Sequence, residues 1–279
     1  MTGAVNPWAW HAHPDVWAVL LGLTVFYWWV VRTHAPTRRQ VGTFCSGLLA
    51  LWVGADWPVH DISESYLLSV HMLQHLLFTL VAPPLLLLGL PGSVVRRLLR
   101  PRLIGWTFSR LARPLIAAVL FNSVVVVSHW PDLVDLALRV EAVHFVVHAV
   151  LFAAAVLMWF PVLNRLPEYP RMGDAGRMLY LFLQSVVPTV PASFLTFGDS
   201  VIYRFYGEAP RPWDITAIAD QQLAGAAMKV VGGFLLWGVI VVIFFRWYAA
   251  SARDRGDVLT WADVERELSE TPPATPTGS

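Results

Sequence analysis

Long apolar runs alternate with short polar segments along most of this chain. A hydrocarbon core of about 30 Å is crossed by an α-helix of about 20 mainly apolar residues, and runs near that length fall at residues 16–31, 41–56, 66–90, 113–128, 141–160, 176–197 and 219–248. The pattern predicts an all-α protein, an integral membrane bundle of about seven transmembrane helices. Residues 1–15 form a leading segment, 16–248 the membrane domain, and 249–279 a polar tail that ends Thr/Pro-rich and reads as disordered. A short amphipathic helix is expected within that tail, at residues 259–268.

Composition agrees with the pattern. The 279 residues are 56% hydrophobic and 14% charged, too apolar for an ordinary soluble domain. Cytoplasmic loops retain lysine and arginine, so charge placement sets orientation. Arg32, Arg38 and Arg39 follow the first run; Arg96, Arg97, Arg100, Arg102, Arg110 and Arg113 lie between the third and fourth; Arg165, Arg171 and Arg177 precede the sixth; Arg246, Arg253 and Arg255 follow the last. The intervening segments at 56–65 and 131–141 are acidic or nearly neutral. This alternation predicts an outside N-terminus and a cytoplasmic C-terminus. No basic segment precedes the first run, which is expected to remain as an anchor and not as a cleaved signal. Beyond the loop clusters there is no basic stripe, so lipid and not nucleic acid is the expected environment.

Cys45 is the only cysteine. A disulfide framework and a paired-thiolate metal site are both excluded, and the residue itself reads as a small buried apolar side chain.

The chemistry concentrates in histidine. The third run contains His71-Met-Leu-Gln-His75 and the fifth contains His144-Phe-Val-Val-His148. Side chains four apart lie on one helix face about 6 Å apart, so each pair can converge on one ion. Both runs pass from outside to inside, which sets the pairs at like depth near the outer surface. Four imidazole nitrogens are available if the helices meet face to face. Ionisable groups in hydrocarbon are costly unless paired, hydrated or coordinated, and they mark functional sites.

Further polar groups fall on the same side. His60 lies between Asp56 and Asp61; His11 and His13 precede the first run; His129 ends the fourth within Ser-His-Trp-Pro; and Asp220, Gln221 and Gln222 open the seventh. Of nine histidines only His34 falls on the inner side. The candidate metal ligands are therefore His71, His75, His144, His148, His60 and Asp220. Asp220 can equally cap its helix, and His11, His13 and His129 suit solvated or interfacial roles. Imidazole fits copper, zinc, iron and nickel, and a thioether from Met72 or Met228 shifts preference toward Cu(I), although methionine in such helices serves mostly as packing. Haem fits poorly, because a pair on one face cannot supply opposite axial ligands. A zinc-protease motif would need glutamate where Met72 stands.

Lys229, the only lysine, lies about two turns into the last run. A retinal Schiff base there would need a carboxylate counter-ion, and residues 66–90 contain no Asp or Glu. Pairing with Asp220, or snorkelling to an outer polar cavity, is the expectation.

The stretch His71-Met-Leu-Gln-His-Leu-Leu-Phe-Thr-Leu-Val-Ala-Pro-Pro-Leu-Leu-Leu-Leu-Gly-Leu-Pro91 resembles the signature of the CtaG family of cytochrome c oxidase assembly factors. Asp220-Gln-Gln-Leu-Ala-Gly-Ala-Ala-Met228 with Gly232-Gly233 is similar to a segment of that family's last helix. The resemblance implies a multi-pass protein of the bacterial plasma membrane that delivers copper to the oxidase copper centre. Its implied partners are an oxidase subunit and an outer-face copper donor, and its implied cargo is copper, with zinc second. It carries His71, His75 and Asp220 as site residues; His144 and His148 rest mainly on spacing. Lys229 departs from the resemblance, where a tryptophan is expected. A copper transporter and a metal-free assembly scaffold remain alternatives, and an enzyme is disfavoured because no nucleophile and base are paired. Copper bound by neutral imidazoles should be lost as pH falls through about 7 to 6.

Overall fold

The computed structural model of the protein describes residues 6–32, 35–164, 166–169, 171–256, 261, 265, 266 and 269. Among them the secondary structure is helical throughout. His34, the end of the tail and most of the 259–268 stretch lie outside the described residues.

Five helical stretches are long and apolar enough to cross a membrane: Pro14–Val31, Leu68–Gly89, Glu141–Leu163, Asp174–Phe197 and Ala217–Arg253. A sixth is possible if Arg102–Leu111 and Pro114–Ser128, bent by 80° at their junction, act as one span. The expected run at 41–56 does form a helix of 18 residues, Arg38–Ala55, begun by a reciprocal capping box between Thr37 and Gln40. Arg38, Arg39 and Gln40 fill its first turn and dilute its apolar character.

In chain order the helices used below are α1 (Pro14–Val31), α2 (Arg38–Ala55), α3 (Val59–Ser65), α4 (Leu68–Leu76), α5 (Ala82–Gly89), α6 (Gly92–Leu98), α7 (Arg102–Leu111), α8 (Pro114–Ser128), α9 (Pro131–Arg139), α10 (Glu141–Leu163), α11 (Asp174–Val186), α12 (Thr189–Phe197), α13 (Arg204–Glu208) and α14 (Ala217–Gly256).

The third span is not a plain α-helix. Between α4 and α5 the residues Leu77–Val81 form a π-turn. Pro83 and Pro84 have no N–H to offer the carbonyls of Thr79 and Leu80 four residues earlier. The widened turn accommodates that loss, and the freed Thr79 carbonyl accepts a hydrogen bond from Trp159 Nε1 of α10 at 2.8 Å. Thr79 Oγ1 in turn donates to the His75 carbonyl at 2.7 Å. The proline pair thereby fixes α10 against the segment directly below the first histidine pair.

Packing at the far end of that span depends on glycine. The Tyr27 ring of α1 stacks on Phe44 of α2 with centroids 3.8 Å apart, and its hydroxyl donates to the Gly89 carbonyl at 3.2 Å. A Cβ on Gly89 would lie 2.6 Å from Phe44 Cβ and 2.7 Å from Phe44 N. Only glycine permits this approach of α5 to α2. Around Leu151, Met158, Trp159, Leu181 and Leu236 the middle of the bundle closes into a fully apolar core. Phe197, Phe234 and Leu115, each about three-quarters exposed, point away from it, as lipid-facing residues do in a bundle whose backbone polar groups are satisfied internally.

Gly89→Ala should therefore destabilise the protein by about 1–3 kcal/mol, the range for forced overpacking. Gly233→Ala, where a Cβ meets nothing within 4 Å, should leave thermal unfolding in detergent unchanged; equal melting temperatures for the two variants would refute this account.

Candidate metal centre

The first turn of α4 is set by a residue from the other end of the sequence. Asp220 of α14 is fully buried; its Oδ2 accepts from Leu68 N at 2.8 Å, and its Oδ1 accepts from Ser69 N at 3.0 Å and Ser69 Oγ at 2.6 Å. Leading N–H groups of a helix have no partners of their own and favour an anion beside them. Arg211 Nη1 approaches Oδ2 at 3.3 Å and balances its charge. The carboxylate is thus occupied in fixing α4, and it stands outside the histidine cluster. It caps a helix, as one reading of the sequence allowed, but the helix is α4 and not its own. The expected pairing with Lys229 gives way to this one: among the described residues the cation on Asp220 is Arg211.

With α4 held in register, His71 and His75 face α10. His75 Nε2 lies 3.0 Å from His148 Nε2, and ring nitrogens of His71, His75 and His148 all lie within 4.8 Å of one another. Two imidazoles bound to one ion at about 2.0 Å hold their nitrogens about 3.3 Å apart in tetrahedral geometry. The observed spacing is close to that. Two facing Nε2 atoms repel unless a proton or a cation lies between them. Among the described residues the buried Nδ1 atoms of His71 and His75 have no hydrogen-bond partner, an arrangement that costs about 1–3 kcal/mol per group if left unmade. A donor set of three convergent imidazoles with spare lone pairs fits a late first-row metal ion.

The remaining candidates form a second tier. The His144 ring lies 4.2 Å from that of His148 and 5.5 Å from that of His71, but its Nδ1 is directed to Glu64 Oε1 at 2.5 Å. His60 Nδ1 stands 3.2 Å from the same oxygen. Both contacts are close yet lie off good hydrogen-bond directions, since Oε1 completes no aligned bond. Burial pushes the His60 imidazole below its usual pKa, against the opposing pull of Glu64. Gln74 Nε2 donates to the Gly54 carbonyl at 2.8 Å and its Oε1 accepts from Ser63 Oγ at 3.1 Å, which ties α2, α3 and α4 together around these rings.

Several residues sit differently from their sequence reading. His129, for which a solvated or interfacial role was expected, is buried; its ring lies 5.4 Å from that of His75, and its Nδ1 bonds the Val125 carbonyl at 2.7 Å. His11, for which a solvated or interfacial role was expected, is exposed as that reading has it, and His13 is half-buried; both reach Asp61. Cys45 is exposed on α2 and not buried. Met72 is packed among Leu68, Tyr203 and Tyr206, the packing role that methionine usually takes. Lys229 lines a small cavity of about 60 Å³ together with His75, His129, Met72 and Met228. Glu64 and Gln74 were not among the candidates. Gln74 lies three residues after His71, on nearly the same face, and Glu64 four after His60; those spacings were the available signals.

The model of the cytochrome c oxidase caa3 assembly factor family matches residues 10–250. The chain belongs to that family. It is similar to uncharacterized proteins of Mycobacterium bovis and Mycobacterium tuberculosis, each 31% identical over 84% of this chain and 40% of the relative. An uncharacterized protein of Mycobacterium leprae is 25% identical over 88% of this chain and 41% of its own length. The chain thus spans about two-fifths of these curated relatives. No solved structure matches.

Asp220→Ala should cost about 1–3 kcal/mol through orphaned buried donors, with Asp220→Asn, which keeps one carbonyl acceptor, less harmful. Equal unfolding midpoints for wild type and Asp220→Ala would remove Asp220 from its anchoring role.

Proposed function

We propose that the protein is a membrane assembly factor of cytochrome c oxidase that holds a copper ion on His71, His75 and His148 and passes it to the oxidase copper centre. The observation that carries this reading is the convergence of three ring nitrogens within 4.8 Å, on the buried His71 and His75 and the half-buried His148, with further nitrogens left unpartnered among the described residues, in a member of an oxidase assembly family. Copper is the cargo. The imidazoles bind it, the helices around them exclude water, and release follows when a partner offers competing ligands. Zinc shares the preference for imidazole and ranks second.

The same reading places seven helices across the bacterial plasma membrane, counting α2 and treating α7 with α8 as one bent span. The arginine-rich segments face the cytoplasm and the histidine end faces outward, in keeping with the retention of positive charge on the inner side. Residues 249–279 then form a cytoplasmic tail. The partners are an outer-face copper donor and an oxidase subunit, and the protein acts as a carrier, not an enzyme.

Protein purified without chelator and analysed by elemental mass spectrometry should contain copper. His71→Ala/His75→Ala and His148→Ala should each lower that content by about tenfold or more, as loss of metal ligation or its support typically does, while Asp220→Asn should retain it. Full copper in the double variant would overturn the assignment; a wild type with no metal that still supports oxidase assembly would favour the scaffold reading.

A further inference from the structure

Two of the three histidines of the centre, His71 and His75, are buried and His148 is half-buried, so an ion must be led to them. A bare cation leaving water for a low-dielectric interior faces a prohibitive desolvation penalty, so donors must be available all along its route. Such donors stand in sequence from the exposed end of the bundle inward. His11 Nδ1 lies 2.8 Å from Asp61 Oδ2, and His13 Nε2 lies 2.7 Å from Asp61 Oδ1. The His13 ring is 4.5 Å from that of His60, His60 is 6.3 Å from His144, and His144 is 4.2 Å from His148.

We propose that His11, His13 and Asp61 form a capture station for copper ions, from which the ion moves by ligand exchange past His60, Glu64 and His144 to the buried centre. The proposal rests on the copper reading above and adds the route and its first binding site. The station is built from both oxygens of one carboxylate and two imidazoles on a separate segment, with the His11 side chain 67% exposed and Asp61 only 10%. One side therefore meets water and the other is already held in the protein.

Three further observations point along the same line. A cavity of about 330 Å³ is lined by His13, His60, Glu64, His144 and His148, joining the capture station to the centre. The buried His144 Nε2, midway along the route, has no hydrogen-bond partner among the described residues. Asp15 and Glu141 also line the cavity, and carboxylates gathered at the mouth of a low-dielectric cleft concentrate cations there. Each transfer exchanges imidazole and carboxylate ligands on an ion of constant oxidation state, so no oxidant or reductant is required.

The alternative is that the His–Asp contacts merely fasten the segment ahead of α1. Glutamine separates the two roles, because its amide N–H still reaches Asp61 while its affinity for copper is poor. His11→Gln/His13→Gln protein in nanodiscs is mixed anaerobically with Cu(I) held by a weak colorimetric chelator, and bleaching of the chelate is followed by stopped flow. Loading should slow by about tenfold or more relative to wild type, while the copper that survives a chelator wash stays the same. Unslowed loading overturns the capture station, and loss of the retained copper overturns it too, since the segment would then belong to the holding site. A wild type that takes up no copper fails the copper reading itself, an outcome distinct from normal uptake at an unchanged rate.

Discussion

The carboxylate of Asp220 against the first turn of α4 is the contact on which the arrangement of this protein turns. A helix that begins inside a membrane bundle has leading N–H groups that water does not reach, and an unmet donor there is expensive. Asp220 meets two of them and Arg211 neutralises the charge, so the start of α4 is tied to α14. The other end of the same short helix is set by the Pro83-Pro84 pair, through the π-turn and the bond from Trp159 to Thr79. Between these fixtures α4 can neither slide nor rotate appreciably. A rotation of one residue, about 100°, would carry His71 and His75 away from His148.

Much of the bundle was legible because hydrocarbon imposes length and apolarity on whatever crosses it. The runs at 16–31, 66–90, 141–160, 176–197 and 219–248 all correspond to long apolar helices. The break within 66–90 was less visible, since proline tells where a hydrogen bond is missing but not which neighbour will replace it. That neighbour is Trp159, eighty positions away in sequence. Likewise, the 80° bend between α7 and α8 lies at Ala112 and Arg113, just ahead of Pro114, where a helix start could be read but not the angle.

The site divides in the same way. Spacing of four residues announced His71 with His75 and His144 with His148, because helix geometry alone puts each pair on one face. It did not announce that His144 would turn its Nδ1 to Glu64 and leave His148 with the α4 pair. Glu64 sits on a separate short helix, α3, interrupted at Tyr66 and Leu67, so no periodicity links it to His71. Asp220 was singled out as a metal-site residue by its place among the outer polar groups and by the family resemblance. Its role as a cap for another helix needs the tertiary contact and has no local signature. His129 ends a span, where a solvated or interfacial role was expected; tertiary neighbours make that end an interior, the His75 ring at 5.4 Å and Tyr203, whose hydroxyl donates to the His129 carbonyl.

The surroundings of the three imidazoles bear on whether a bound ion would be held or passed through the bilayer. Below His75 and His148 come Phe78, whose ring lies 5.3 Å from His148, then Thr79 with its hydroxyl turned back to the His75 carbonyl, then the Trp159 indole. Deeper still, Leu151, Ala155, Met158 and Leu181 are fully packed. The donors along the opposite direction, toward His60 and His13, are spaced a few ångströms apart and bordered by carboxylates. An ion moves where ligands continue: on the side of α14 the donors His129, Met72 and Met228 line a small cavity of about 60 Å³ beside His75 that is bounded by Leu151 and Leu236 of the apolar core, whereas toward His13 the series is longer. That asymmetry argues for a dead-end site, filled and emptied from the same end. In the proposed transfer, a partner would then meet the protein at the surface bearing His13 and His60.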